Sequence, residues 1–210
     1  MREENLATKN CVALIEDDQE MCKSIQAMME SIGLKTVTFH EGHSFLSYTS
    51  LDEFGCLIID LRLPDISGLT VVEKAAELQS YCPPAIMITG YADVPTAVSA
   101  IRGGMIDFLE KPFVPQDLID QVQNTLQIDA KNRQIHQVGA RINLGLSKLT
   151  TRERQVLRSL LACKSNKEIS SDLDLSSKTI ASHRANILAK CQAESLLELA
   201  GSIQSCGIEV

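Results

Sequence analysis

The chain has 210 residues, of which 44% are hydrophobic and 22% are charged, a balance typical of globular, soluble proteins. Its apolar runs are too short to cross a bilayer and its first residues are polar and acidic, so we expect a cytoplasmic protein without membrane contact. The seven cysteines are scattered singly, which argues against a zinc site and against a disulfide framework.

Charge is distributed unevenly along the chain. Residues 1–128 carry 8 Lys and Arg against 19 Asp and Glu, a net charge of −11. Residues 129–210 carry 12 Lys and Arg against 8 Asp and Glu, a net charge of +4. This asymmetry predicts two domains and a polyanion as the partner of the second domain.

Short apolar runs alternate with amphipathic helices throughout the acidic part. Strands are predicted close to 11–15, 37–39, 56–60, 84–89 and 106–109. Helices are predicted close to 21–32, 45–51, 68–78, 94–101 and 118–126. Five strands that alternate with five helices predict an α/β doubly wound domain with a five-stranded parallel sheet.

A cluster of functional side chains is predicted where these strands end. Its members, in chain order, are Glu16, Asp17, Asp60, Thr89 and Lys111. Asp60 alone could equally well cap the next helix, but strand ends of an open α/β sheet converge on one crevice. Several carboxylates in one crevice need a cation, and Mg²⁺ suits oxygen ligands with room for water. With Lys111 as a second positive charge, the crevice favours phosphoryl transfer to Asp60.

Asp18 and Glu20 are interpreted as N-terminal charges of the first helix.

The acidic part resembles the receiver domain of two-component response regulators. The residues that carry the resemblance are Glu16-Asp17, Asp60, Thr89, Phe108 and Lys111-Pro112. The segments 89–95 and 107–113 resemble the FixJ-type subgroup. The resemblance covers about residues 1–128 and implies a flavodoxin-like strand order.

The resemblance also implies a role for each of these residues. A Mg²⁺ or Mn²⁺ site would be formed by Glu16, acting mainly through water, Asp17, Asp60 and the backbone carbonyl of Arg62. Asp60 would accept the phosphoryl group and Lys111 would pair with it. Thr89 and Phe108 would form a switch that responds to the phosphoryl group. The Lys111-Pro112 peptide would be cis. Glu16 stands where the family more commonly has aspartate.

Two other functions compete with this interpretation. A phosphohydrolase with an aspartyl nucleophile usually places a second acid two residues later, but this position holds Arg62, and no lid-sized insertion is present. We therefore predict that the chain is not an enzyme. A constitutive regulator that is never phosphorylated would not need the complete acidic set.

Residues 129–146 are predicted to form a helical linker. Its sequence is polar with few helix breakers, and Gly139 and Gly145 are predicted to end its helical part. Both a solvated connector and a short dimeric seam fit this sequence.

The basic part is predicted to form a small all-α domain of four helices. Capping boxes at 150–153 and 165–168 begin two short helices, a third helix runs from about 178 to 190, and a fourth covers 196–203. This pattern indicates a helix-turn-helix at about 166–185. The segments 149–157, 165–170 and 177–187 resemble the LuxR-type DNA-binding domain, which would occupy residues 147–210.

The resemblance makes the third helix the recognition helix in the major groove. The implied DNA contacts are Lys167, Lys178, Thr179, Ser182, His183, Arg184, Asn186 and Lys190. His183 is equally compatible with a packed, hydrogen-bonded residue. Ala181 and Ala185 stand where relatives commonly have longer basic side chains, so contact with thymine methyl groups or a weaker dependence on direct base bonds is expected.

Together, the two resemblances imply a phosphorylation-controlled transcription factor. Its expected partners are a sensor histidine kinase, double-stranded promoter DNA, RNA polymerase and a second copy of the chain. Dimerisation would follow phosphorylation and would use the receiver and the C-terminal helix.

Overall fold

A computed structural model describes residues 9–48, 50–90 and 107–210 of the chain. The chain divides into two compact units, Met1–Arg133 and Gln134–Val210. Within the described ranges, none of the helices combines the length and the apolarity that a membrane span requires.

Five parallel strands form the sheet of the first unit, in the order β2-β1-β3-β4-β5. They are β1 (Cys11–Ile15), β2 (Lys35–Phe39), β3 (Cys56–Asp60), β4 (Ala85–Thr89) and β5 (Asp107–Glu110). This order confirms the predicted doubly wound class. The inner strands β3 and β4 are buried throughout, which explains why they are continuous apolar runs in the sequence.

The first unit has a core on each face of the sheet. Leu57 and Ile59 of β3 belong to one buried cluster and Ile58 to the other, because successive side chains of a strand point to opposite faces. The covering helices are α1 (Gln19–Ser31), α2 (Gly42–Leu46), α3 (Gly68–Leu78) and the first part of α4 (Pro115–Ser147), with a 3₁₀ turn at Leu51–Glu53. The helix predicted at 94–101 lies outside the described residues.

Of the three consecutive acidic residues after β1, Glu16, Asp17 and Asp18, the last one caps the following helix. Asp18 is the N-cap of α1, since its carboxylate accepts hydrogen bonds from the backbone N–H of Glu20 (2.8 Å) and Met21 (3.1 Å). These bonds lower the pKa of Asp18 below its ordinary value. The interpretation of Asp18 as a helix-capping charge is therefore confirmed.

The second unit is built from helices around one apolar core. They are the end of α4, α5 (Thr151–Leu161), α6 (Asn166–Leu173), α7 (Ser177–Cys191) and α8 (Leu196–Ser205). The predicted capping boxes are present at the starts of α5 and α6, where Thr150 pairs with Glu153 and Ser165 pairs with Glu168. Ile169, Ile180 and Ile187 are buried between α6 and α7 and their neighbours, so each helix contributes its apolar face to the core.

The prediction that Gly139 and Gly145 end the linker helix is wrong, because α4 continues to Ser147. A Cβ atom on Gly145 would lie 2.6 Å from Cα of Cys191 and 2.7 Å from the carbonyl oxygen of Lys190. The missing side chain thus allows α4 and α7 to cross closely. Glycine lowers the stability of a helix by about 1 kcal/mol relative to alanine, and here the close packing of the two helices compensates for this loss.

Gln192 ends helix α7 in a left-handed conformation, with φ 52° and ψ 44°. Replacing Gln192 with Gly is expected to raise the free energy of unfolding of the second unit by about 1 kcal/mol, because glycine adopts this conformation without a Cβ clash. Thermal or urea unfolding measures the change.

The matched control is Gln155→Gly, at an exposed position inside α5. There the same substitution is expected to lower stability by about 1 kcal/mol. Equal destabilisation by both variants would contradict the strain argument.

Candidate functional site

An acidic pocket lies at the carboxyl ends of the strands in the first unit. Glu16 directly follows β1 and Asp60 is the last residue of β3. One carboxylate oxygen each from Glu16, Asp17 and Asp60 lies within 4.8 Å of the others. Glu16 and Asp60 are buried, whereas Asp17 is exposed. The structure therefore brings together the three carboxylates that the sequence predicted.

Lys111 holds this pocket together. Its ammonium donates hydrogen bonds to Oε2 of Glu16 at 2.6 Å and to Oδ2 of Asp60 at 2.5 Å. Its backbone N–H donates to the carbonyl oxygen of Thr89 at 2.7 Å, which ties the segment after β5 to the end of β4. The Lys111-Pro112 peptide is cis, as expected.

Asp60 is oriented by the backbone that follows it. Its Oδ1 atom accepts a hydrogen bond from the backbone N–H of Arg62 at 2.8 Å, while Oδ2 contacts Lys111. Arg62 also forms an isolated antiparallel bridge with Ser67, so the loop after β3 folds back on itself. Both carboxylate oxygens of Asp60 are thus held in place by fixed donors.

The charges of the pocket are unbalanced. Burial raises the pKa of Glu16 above its ordinary value, and the neighbouring Asp60 raises it further, although Lys111 opposes both effects. Burial lowers the pKa of Lys111, but its hydrogen bonds to Asp60 and Glu16 outweigh burial and raise it overall. Three carboxylates with one ammonium leave negative charge and oxygen ligands that fit a hard divalent cation such as Mg²⁺.

Thr89 and Phe108 lie near the ends of neighbouring strands. Thr89 is the last residue of β4 and is 4% exposed. Phe108 pairs with Met87 across the β4–β5 ladder and is packed, partly buried, against the core cluster that contains Ile59. The two predicted switch residues therefore lie on adjacent strands, but the ladder pairs Thr89 with Glu110 and Phe108 with Met87.

Gly68 is a site residue that the sequence interpretation missed. A Cβ atom there would lie 2.3 Å from the backbone oxygen of Asp60 and 2.8 Å from Cγ2 of Ile59. The start of α3 therefore rests directly on the strand end that carries Asp60. The available signal is the Ser67-Gly68 pair, whose serine caps α3 through the backbone N–H of Thr70.

Asp65 is a second residue that was missed, and it supports the loop after Asp60. It accepts hydrogen bonds from the backbone N–H of Gly42 at 3.0 Å and of His43 at 2.8 Å, and its Oδ2 lies 2.6 Å from Nδ1 of His43. These hydrogen bonds outweigh the effect of burial and lower the pKa of Asp65. Asp65 thus fixes the loop to the start of α2.

In the second unit, α7 presents a polar outer face. The predicted contacts Lys178, Ser182, Arg184 and Asn186 are exposed, and Thr179 and His183 are half-buried. Thr179 shares a 2.8 Å hydrogen bond with Ser176 in the cap of α7. Lys167 is exposed at the start of α6, one helix earlier in the motif.

Two basic side chains of this unit are already engaged within the protein. The ammonium of Lys190 donates to Oε2 of Glu153 at 2.6 Å, and Glu153 is buried. The guanidinium of Arg152 donates to the carbonyl oxygen of Leu173. Lys190 therefore differs from the exposed cations of α7, because contact with a phosphate would compete with a nearly buried ion pair.

Family models match both units. The model described as response regulator receiver domain matches residues 12–123, and the model described as bacterial regulatory proteins, luxR family, matches residues 147–202. The first match covers the acidic pocket, and the second covers α5, α6, α7 and the first seven residues of α8.

Curated relatives match nearly the whole chain. The transcriptional regulatory protein FixJ of Bradyrhizobium diazoefficiens is 36% identical over 194 residues, which is 92% of this chain and 94% of the relative. Nodulation protein W of the same organism is 34% identical over 202 residues, which is 96% of this chain and 88% of the relative.

Solved structures agree with this similarity. The response regulator StyR superposes with a TM-score of 0.72 at 31% identity, covering 92% of this chain and 98% of that one. Full-length FixJ from B. japonicum superposes with a TM-score of 0.54 at 33% identity, covering 96% and 98%. The chain therefore belongs to the FixJ-like two-component response regulators, which join a receiver domain to a LuxR-type DNA-binding domain.

Proposed function

We propose that this response regulator is switched by phosphoryl transfer from a sensor histidine kinase to Asp60, and that the phosphorylated form dimerises and binds promoter DNA. The observation that carries the proposal is the position of the Lys111 ammonium between Glu16 and Asp60 in the acidic pocket. A fixed cation beside a buried carboxylate is the arrangement that stabilises a phosphoryl group on that carboxylate.

The chemistry is a displacement at phosphorus. A carboxylate oxygen of Asp60 forms a bond to phosphorus while the bond between phosphorus and the donor's histidine nitrogen breaks, and the electron pair stays on that nitrogen. The Arg62 N–H and the Lys111 ammonium hold Asp60 in one orientation, so little reorganisation is needed. Lys111 then pairs with the negative oxygens of the transferred group.

A divalent cation, Mg²⁺ or Mn²⁺, would be held by Glu16, Asp17, Asp60 and the backbone carbonyl of Arg62. When bound, it supplies further positive charge to the phosphoryl oxygens. The donor set supports this, because its three side chains offer only oxygen ligands and one of them, Asp17, is open to water.

Thr89 and Phe108 are proposed to relay the change. The backbone of Lys111 is hydrogen-bonded to Thr89, so a backbone shift that follows the pairing of Lys111 with a phosphoryl group would move the end of β4. Phe108 lies on the neighbouring strand and is partly buried, and its ring is proposed to change position when the pocket is phosphorylated. Movement of these two residues would alter the receiver surface used for dimerisation.

The second unit is proposed to bind DNA through the helix-turn-helix at about 166–185. Helix α7 would enter the major groove, with Lys178 and Arg184 exposed for phosphates and Ser182 and Asn186 available for bases or phosphates. Thr179, His183, Lys167 and Lys190 complete the proposed set. The short side chains of Ala181 and Ala185 would let the helix approach the bases closely enough to contact thymine methyl groups.

Further partners are proposed on the same basis. Leu197 on α8 is 85% exposed, which supports the C-terminal helix as part of a dimer contact. RNA polymerase is a proposed partner because the family regulates transcription. The proposed location is the cytoplasm, and no enzymatic turnover of a separate substrate is proposed.

The test uses the purified full chain with acetyl phosphate and Mg²⁺. We expect the mass of one phosphoryl group to be added, the dimer fraction to rise, and the affinity for a duplex selected from a random pool to rise by about 5–150-fold. Genome-scale mapping with and without the phosphodonor then identifies the promoters. A phosphorylated chain that binds the duplex no better than the free chain would contradict the proposal.

A further inference from the structure

A second polar cluster lies in the first unit, away from the acidic pocket. It consists of Tyr81, Asp129 and Arg133, and we call it the clamp. Nε of Arg133 donates to Oδ2 of Asp129 at 2.7 Å, and the hydroxyl of Tyr81 donates to Oδ1 at 2.8 Å. The guanidinium of Arg133 also lies 4.6 Å from the centre of the Tyr81 ring and donates to the carbonyl oxygen of Phe54 at 2.5 Å.

The clamp contains a buried charge, which is energetically unfavourable unless it is fully hydrogen-bonded. Asp129 is 0% exposed, and a buried carboxylate is tolerated only when its oxygens are satisfied. Here Arg133 and Tyr81 each take one oxygen. Burial, and then the hydrogen bond to Asp129 and its charge, also raise the pKa of Tyr81, so its hydroxyl stays a donor. A network of this kind closes or opens as a unit, because a half-satisfied buried charge is unstable.

The clamp lies at the edge of the sheet opposite to Asp60. Phe54 comes just before β3, and Tyr81 comes before β4, whereas Asp60 is the last residue of β3. Since the strands are parallel, starts and ends lie at opposite edges. Strand β3 is buried at every position and connects the two edges directly.

The clamp also marks the place where α4 leaves the receiver. Leu118, Val122 and Leu126 seat this helix on the core of the first unit. Beyond Ala130 the helix offers no buried apolar side chain before the second unit begins, and residues 131–137 are exposed except for Arg133. Arg133 is the last residue of the first unit. Beyond Ala130, polar contacts of Arg133 therefore hold the last residues of α4 that belong to the first unit.

We propose that the clamp is a two-state positioning device that couples the phosphorylation state of the receiver to the DNA affinity of the second unit. The inference rests on the proposed function, because it concerns how that signal reaches the linker. When the clamp is closed, α4 is fixed on the receiver up to Arg133. When it opens, the last turn of this helix in the first unit loses the hydrogen bonds of Arg133 and Asp129 to the receiver.

The test compares Asp129→Asn with Asp120→Asn. Both substitutions remove one carboxylate from α4, but Asp120 is exposed and accepts only from Gln116 at 2.7 Å among the described residues, whereas Asp129 is the centre of the clamp. Three quantities are measured on the full chain: the rate of phosphoryl incorporation from acetyl phosphate, amide hydrogen exchange in residues 127–137, and the ratio of duplex affinities with and without phosphorylation. The duplex is the one selected by the phosphorylated wild type.

For Asp129→Asn we expect unchanged phosphoryl incorporation, exchange in 127–137 at least about tenfold faster, and an affinity ratio changed by at least about fivefold. Asp120→Asn should match the wild type in all three. Tyr81→Phe, which keeps the ring and removes one hydroxyl, should show the same changes more weakly, and it answers the question if Asp129→Asn fails to fold.

Faster exchange with an unchanged affinity ratio would overturn the proposal, since the clamp would then be only structural. Loss of phosphoryl incorporation in Tyr81→Phe would overturn it too, because the cluster would then act on the pocket. A wild-type affinity ratio of one would instead refute the proposed function itself, and this outcome is seen before any variant is made.

Discussion

Replacing Asp60 with Asn is expected to abolish incorporation of a phosphoryl group from acetyl phosphate and Mg²⁺. The amide lacks the anionic oxygen that would attack phosphorus, and it leaves Glu16 as the remaining ion-pair partner of the Lys111 ammonium. Mass spectrometry of the intact protein measures the loss. In the same variant, the duplex affinity should stay at the unphosphorylated level when the phosphodonor is added.

Asp52→Asn is the matched control for this experiment. Asp52 is exposed in the 3₁₀ turn Leu51–Glu53 and is absent from the acidic pocket as the described residues define it. This variant should be phosphorylated and should respond to the phosphodonor as the wild type does. Equal phosphoryl incorporation in Asp60→Asn and Asp52→Asn would show that the acceptor lies elsewhere in the chain.

Gly68→Ala is expected to impair the pocket without changing any of its charged groups. The added methyl group would lie 2.3 Å from the backbone oxygen of Asp60, so either α3 or the end of β3 must move. Overpacking of this kind costs about 1–3 kcal/mol of stability. A displacement of Asp60 by about 1 Å would slow phosphoryl incorporation by about 10²-fold. Urea unfolding and the incorporation rate measure the two effects.

Gly90→Ala provides the comparison, because it makes the same change just after β4. Within the described part of the chain, no atom lies within 4 Å of a Cβ placed on Gly90. This variant should keep the stability and the incorporation rate of the wild type within about 0.5 kcal/mol and about twofold. If Gly68→Ala is phosphorylated as fast as Gly90→Ala, the contact between Gly68 and Asp60 has no part in positioning the acceptor.

Much of the first unit could be predicted from the sequence because its signals are local. The runs that became β3 and β4 are continuous and apolar because both faces of the sheet are covered, and strands of this kind are easy to recognise. The polar residues Asp60 and Thr89 follow such runs, so the topology alone placed them at one edge. The capping boxes at Thr150 and Ser165 were visible for a similar reason, since each joins residues three positions apart.

Features that depend on contacts between distant segments could not be predicted. Gly145 looked like a helix end, because nothing in its neighbourhood indicates that Cys191 passes 2.6 Å from the position of its Cβ. The ion pair of Lys190, a predicted DNA contact, with Glu153 joins residues 37 positions apart, so the sequence did not indicate it. Gly68 looked like an ordinary first residue of a helix until its contact with Asp60 was visible.

The sequence by itself determined the family, the two domains and the residues of the acidic pocket. It could do so because parallel-sheet topology sends every strand end to the same edge, whatever the details of packing. Only the tertiary structure decided which side chains are hydrogen-bonded to each other: the Lys111 ammonium donates to both Glu16 and Asp60, and the Asp129 carboxylate accepts from both Arg133 and Tyr81. Apart from the pair of Arg133 and Asp129 within one helix, these hydrogen bonds of 2.5–2.8 Å join residues 48 to 95 positions apart, and such distances are set by folding and not by a local pattern.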